Sequence, residues 1–322
     1  MRTRRINSPD EAAKTIRAGG LVAFPTETVF GLGVDATNTA AVEKLFEAKG
    51  RPSNNPLIVH VSESKAWSLA AASLTPNAAA LLAAFAPGPL TVVLPKHSRI
   101  SSLVTAGLET VGLRIPSHPV ALEILRRAGV PVAAPSANRS GSPSCTTWQA
   151  VLEDMDGRID AVYCEDCDCI GIESTVVDCC GPATTVLRPG AITIEQIRRI
   201  VPDARELGME TDAAGVGDKV MSPGLLHAHY QPNAKVRLVD DPSLKLEELG
   251  AKIAYCGMRP LAGSEHVELS AIYPTVEDYA AGFYEFLRQA DRLMIPTVLV
   301  EKAPDHGIGR ALLDRQRRAS GG

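Results

Sequence analysis

Short apolar runs of strand length alternate along this chain with stretches of helical period. Ser8, Pro9 and Glu11 supply an N-cap, a proline at the first helical position and a capping-box acid, predicting a helix that Gly19 and Gly20 stop. LVAFPT then reads as a buried strand and TAAVEKLFEAKG as a short amphipathic helix closed by Gly50. Strand PLIVHV, helix TPNAAALLAAF, a PGP turn, strands LTVVLP and TVGLRIP, helix PVALEILRRAG and strand VPVAAPS follow. Strands AVYC, STVVDCC and TTVLRPG precede helix TIEQIRRIV. This order predicts a sheet flanked by helices.

The stretch from Asp203 to Ala234 shows no sustained period and is rich in glycine and polar residues, which marks a linker. Beyond it, strands KVRLVD, KIAYCGM and TVLVEKA alternate with helices around 242–249 and 275–292, and GRALLDRQRRAS reads as a last helix. The expected division is 1–203, a linker over 204–234, and a smaller Rossmann-like α/β unit over 235–322.

At 322 residues with 45% hydrophobic content the chain has material for a substantial core. A formal net charge of -4 gives no global attraction to nucleic acid, and 4% aromatics leave few stacking platforms. No stable nucleic-acid binding is therefore required. The run from Trp67 to Pro95 carries no charge, but Pro76, Pro87, Gly88 and Pro89 cut it too short to span a bilayer. The basic N-terminus leads into a polar helix start, so a cytoplasmic protein is expected. Five of seven cysteines fall between Cys164 and Cys180. Without a paired CxxC knuckle or a nearby histidine they read as reduced thiols, and no metal ligand is predicted.

The common nucleotide signatures fail. GLETVGL has leucine where a P-loop needs lysine, and GIGRAL lacks the third glycine of a dinucleotide fingerprint. What remains is a set of polar loops at strand ends. PTETVFGLG offers Thr26, Glu27 and Thr28; KGRPSNNPL offers Lys49, Arg51 and Asn55; TVGLRIP offers Thr110 and Arg114. APSANRSGSPS offers Ser136, Asn138, Ser140 and Ser144, ESTVVD offers Ser174 and Thr175, and RPG offers Arg188. Strand-end loops of an α/β sheet converge on one rim, where cations and hydroxyls together suit a small, oxygen-rich anion. Singly, each has an ordinary explanation: Lys49 and Arg51 as charges at a helix C-terminus, Ser136 and Asn138 as turn-formers, His60 as a half-buried strand residue.

In order, PTETVFGLG, KGRPSNNPLIVHV, FAPGPLT, TVGLRIP, APSANRSGSPS, GIESTVVD, LRPG and SPGLLHAHYQP resemble the threonylcarbamoyl-AMP synthase family in its long form. The resemblance implies a YrdC-like fold, a twisted mixed β-sheet with helices around a concave cavity. It implies synthesis of threonylcarbamoyl-AMP and pyrophosphate from ATP, L-threonine and bicarbonate or carbon dioxide, with Mg2+ carried on the ATP phosphates. The product then serves a threonylcarbamoyl transferase complex that modifies tRNA. By the same resemblance Lys49, Arg51, Ser136 and Asn138 form the catalytic, phosphate-holding cluster. Asn55, Thr110, Ser144, Arg188 and Tyr230 complete the nucleotide side, and Thr28, His60, Arg114, Ala134 and Thr175 hold threonine. SPGLLHAHYQP, residues 222–232, is expected to close over the cavity as a lid. The chain departs from the pattern at Ala86, where the family often has tryptophan, and at Leu226 and His227. Two other classes stay open here: a carbamoyl-adenylate-forming module and a non-catalytic RNA-binding protein.

Overall fold

The computed structural model describes residues 2–166, 169–207, 230–240, 252–261 and 267–321. The chain opens with β1 (Arg4–Ile6), α1 (Pro9–Arg17), β2 (Val22–Phe24), β3 (Gly31–Asp35), α2 (Thr39–Lys49) and β4 (Ile58–His60). A 3-10 turn at Ser64–Leu69 leads to α3 (Pro76–Phe85), β5 (Leu90–Pro95), β6 (Thr110–Arg114) and α4 (Pro119–Ala128). β7 (Val132–Ala133), α5 (Trp148–Met155), β8 (Ala161–Tyr163), β9 (Thr175–Asp178), β10 (Thr185–Arg188), α6 (Ile194–Arg198) and β11 (Arg205–Glu206) complete the first unit. The second holds β12 (Lys235–Val239), β13 (Ile253–Gly257), β14 (Val267–Ile272), α7 (Val276–Arg292), β15 (Thr297–Glu301) and α8 (Ile308–Ala319).

The first eleven strands form one sheet in the order β1-β8-β2-β3-β7-β4-β6-β5-β9-β10-β11. Its pairings are mixed: β4 runs parallel to β6, whereas β2 with β3 and β5 with β6 are antiparallel. The expected mixed sheet is therefore the observed one. The second sheet, β12-β15-β13-β14, is parallel throughout. Among the described residues no helix is long and apolar enough to cross a membrane.

Strand pleating sorts the first core into two layers. Ala23 joins the cluster that includes Leu45 of α2, Leu81 of α3, Val151 of α5 and Ile197 of α6, while its neighbours Val22 and Phe24 join the cluster of α1 and α4. A third cluster belongs to the second unit, yet it takes in Val29 and Ile172 from loops of the first. The two units thus share a hydrophobic core.

Helix α1 begins as the sequence foretells, Ser8 Oγ accepting from the Glu11 amide. Several elements escape the apolar pattern. β3 is GLGVD, whose glycines read as turn signals. They are strand residues because Phe24 lies over them: a Cβ on Gly33 would sit 2.5 Å from the Phe24 ring. β1, β14 and α5 are likewise unforeseen. The helix expected around 242–249 lies outside the described residues.

Candidate functional site

Helix α2 starts on Asn38, whose side chain accepts from the Ala41 amide, and stops at Gly50 in the left-handed region, φ 61°. That stop places Lys49 on the final turn and Arg51 just past the cap. Lys49 is buried, and its Nζ donates to the Ser136 carbonyl at 2.6 Å and to the Asn138 carbonyl. The Ser140 amide donates back to the Lys49 carbonyl at 2.9 Å. Two motifs nearly ninety residues apart in sequence are therefore tied to each other at the wall of one cavity.

Lys49, Arg51, Arg114 and Arg188 all line this cavity, and among the described residues Glu173 is the sole carboxylate on its wall. Burial, and then the Arg51 charge, push the Lys49 ammonium down to about 7. Burial pushes the Arg51 guanidinium down to about 10 and also lowers that of Arg188. Arg51 is braced by its own loop, donating from Nε to the Asn55 carbonyl at 3.3 Å and from Nη2 to the Pro56 carbonyl at 3.1 Å. Arg188 donates to the Ser174 carbonyl and hydroxyl. Cations held together at such a cost in desolvation and mutual repulsion are chemically suited to an anion of several charges. The Asn138 amide donates to the carbonyls of Arg139 and Ser142, and its buried Oδ1 has no hydrogen-bond partner among the described residues.

At the other end, Arg114 donates to Thr28 Oγ1 at 3.0 Å and pairs with Glu27 Oε1 at 2.7 Å. His60, aligned with Arg114 in the β4–β6 register, is buried with Nδ1 unpartnered among the described residues. Burial, with the Arg114 charge second, lowers its imidazole to about 3, so the ring is neutral at physiological pH. Ala134 adds a small apolar patch to the same wall. A guanidinium, a hydroxyl and a neutral imidazole acceptor thus stand beside the small side chain of Ala134 at this end of the cavity.

Of the residues singled out from sequence, Lys49, Arg51, Ser136, Asn138, Arg188, Tyr230, Thr28, His60, Arg114 and Ala134 lie on the cavity wall. Asn55 and Ser144 are buried behind it. Thr110 opens β6 and lines a separate small depression with Thr105 and Val176. Thr175 is fully buried, its hydroxyl exchanging hydrogen bonds with the Ile192 amide and carbonyl. It is Ser174, one residue earlier, that reaches the cavity. Tyr230 lines the cavity with φ 66°, and Gln231 follows it with an amide donating to the Gly141 carbonyl. Residues 222–229 of the expected lid lie outside the described residues, as does Cys167. The six described cysteines are free thiols. Sequence reasoning passed over Glu173.

A family described as telomere recombination (Sua5, yciO and yrdC) matches residues 14–190, and one described as threonylcarbamoyl-AMP synthase, C-terminal domain, matches 192–321. A threonylcarbamoyl-AMP synthase of Bacillus subtilis is 39% identical over 97% of this chain and 92% of its own length. One from Pyrococcus abyssi is 39% identical over 96% and 93%. The solved structure of P. abyssi Sua5 complexed with L-threonine covers 100% of this chain and 98% of that one, with a TM-score of 0.89 at 35% identity. With both units and the full span matched, this chain belongs to the threonylcarbamoyl-AMP synthase family.

Proposed function

We propose that the cavity forms threonylcarbamoyl-AMP and pyrophosphate from ATP, L-threonine and carbon dioxide or bicarbonate. The observation that carries this reading is one cavity with two chemically distinct ends: a cluster of Lys49, Arg51 and Arg188 for a triphosphate, and Arg114, Thr28 and His60 for an amino acid. Arg114 would take the threonine carboxylate, and the neutral His60 Nδ1 would accept a hydrogen bond from its amine or hydroxyl. A charged imidazole there would repel the ammonium, so burial of His60 serves recognition.

The neutral amine attacks carbon dioxide, forming an N–C bond and losing a proton to give a carbamate. A carbamate oxygen then attacks the α-phosphorus. The bond from that phosphorus to the bridging oxygen breaks, and pyrophosphate leaves with its electron pair. Bringing two anions to 4 Å costs roughly 4 kcal/mol per unit-charge pair at an intermediate dielectric, which the cation cluster offsets. Lys49, Arg51, Ser136 and Asn138 would thus act by position and charge, with no covalent intermediate on the enzyme. Magnesium would enter as part of the ATP substrate. The oxygens of Glu173 are engaged by Ser144, Tyr284 and Arg315, and among the described residues no cluster of three or more ligating side chains offers a dedicated cage. A cytoplasmic tRNA-modifying transferase complex would consume the product.

The test is pyrophosphate release from ATP by the purified chain. Release that requires both threonine and bicarbonate is expected, and release indifferent to threonine contradicts the reading. The same assay on a chain lacking 221–232 tests the lid, which full retained activity would remove.

A further inference from the structure

Arg315 lies on α8 in the second unit and is fully buried, yet two of its hydrogen bonds reach the first. Its Nε donates to Glu173 Oε2 at 2.9 Å, and one terminal nitrogen donates to the Pro189 carbonyl at 3.0 Å. The other donates to Asp314 at 2.7 Å, and the guanidinium stands 5.8 Å from the Tyr230 ring. Glu173 immediately precedes Ser174, and Pro189 immediately follows Arg188. Ser174 and Arg188 are the pair that present a guanidinium to the cavity, the Ser174 carbonyl accepting from Arg188 at 2.9 and 3.1 Å. Arg315 therefore grips the chain on both flanks of that pair without lining the cavity.

Its charge matters as much as its grip. Glu173 is a carboxylate on a wall built for an anion, where alone it would oppose a triphosphate. Burial acts to raise its carboxyl, but the charges of Arg315 and Arg188 and the Ser144 hydroxyl outweigh burial and keep it ionised. Tyr284 of α7 adds its hydroxyl to both Glu173 oxygens, at 3.2 and 3.3 Å. A buried ion pair is a poor device for stability alone, since apolar residues of similar volume often serve as well or better. Placed here, it holds the neighbours of Ser174 and Arg188 and offsets the sole carboxylate that lines the cavity among the described residues.

We propose that Arg315 is a positioning residue for the triphosphate end of the cavity, acting through Glu173 and Pro189 on the Ser174–Arg188 pair, so that the second unit sets ATP affinity. This rests on the reading of the cavity as the ATP and threonine site.

Steady-state kinetics of Arg315→Met, of Arg315→Met combined with Glu173→Gln, and of Tyr284→Phe test it. Arg315→Met should raise the KM for ATP about tenfold or more while the KM for threonine stays within about twofold. Adding Glu173→Gln should recover much of that loss by removing the uncompensated charge, a rescue that a purely structural defect does not give. Tyr284→Phe deletes only a hydroxyl and should raise the ATP KM by about twofold to fivefold, so it carries the test should Arg315→Met fail to fold. An unchanged ATP KM, a parallel rise in both KM values, or no rescue by Glu173→Gln overturns the proposal. Should the wild-type chain release no pyrophosphate, the functional reading falls, and calorimetric ATP binding by the same variants still decides the brace.

Discussion

Lys49 holds two carbonyl groups while titrating near neutrality, at about 7, because it is buried and stands beside Arg51. A triphosphate placed beside it supplies the missing counter-charge and raises that value. At pH 8 the empty site is mostly neutral at this position, so ATP binding should draw in close to one proton; at pH 6 the proton is already present and uptake should vanish. Calorimetric titrations in buffers of differing ionisation enthalpy measure this directly, and no uptake at pH 8 contradicts it. The stability sign follows from the same shift. Between about 7 and the ordinary value of 10.5 the unfolded chain binds the proton and the folded chain does not, so this group's contribution moves toward folding as pH rises through that interval. Much of this chemistry is legible in the sequence, because cations and hydroxyls crowd loops that need only a turn. Glu173 is not legible, since its meaning depends on an arginine 142 residues away. Nor is the burial of the Thr175 hydroxyl, which its hydrogen bonds to Ile192 hold in place.

Among the elements, those with strong periodicity or clean caps, α1, α2, α4 and β5, match the sequence pattern closely. Those it misses are short or glycine-bearing, and tertiary contacts impose them, as Phe24 does on β3. A comparable contact governs the junction of α7 with the loop before β9. Gly171 adopts φ +81°, and a Cβ there would lie 2.3 Å from the Ala280 carbonyl and 2.4 Å from the Ala281 Cα. Gly171→Val should therefore cost about 2–4 kcal/mol, combining backbone strain with overpacking. Gly129→Ala is the control: its φ is +65° with nothing within 4 Å of the added carbon, and about 1 kcal/mol is expected from strain alone. Urea midpoints of the two variants should separate accordingly; equal losses would show that α7 does not press on this loop.

For the whole molecule, the linker-like composition of 204–234 suggests independent units, and the apolar pattern cannot show otherwise. The contacts do. Val29 and Ile172 sit in the core of the second unit, and Arg288 of α7 reaches back to the Pro143 carbonyl and the Asp154 carboxylate. Burial acts against the Arg288 charge, but Cys145 and Asp154 outweigh it and hold the guanidinium above its ordinary range. Scanning calorimetry should accordingly give a single endotherm with calorimetric and van't Hoff enthalpies in agreement; two resolved transitions would mean that the shared core is energetically idle.

The support that the second unit gives to one cavity wall from behind bears on how such a catalyst could be shortened. Ending the chain after β11 would bare Val29 and Ile172 to water and strand Glu173 without the guanidinium that neutralises it. A free-standing version would have to replace those two apolar side chains with polar ones and give up the acid. Miniaturisation would thus begin with redecorating the rear of the first unit, well before any scissile point is chosen.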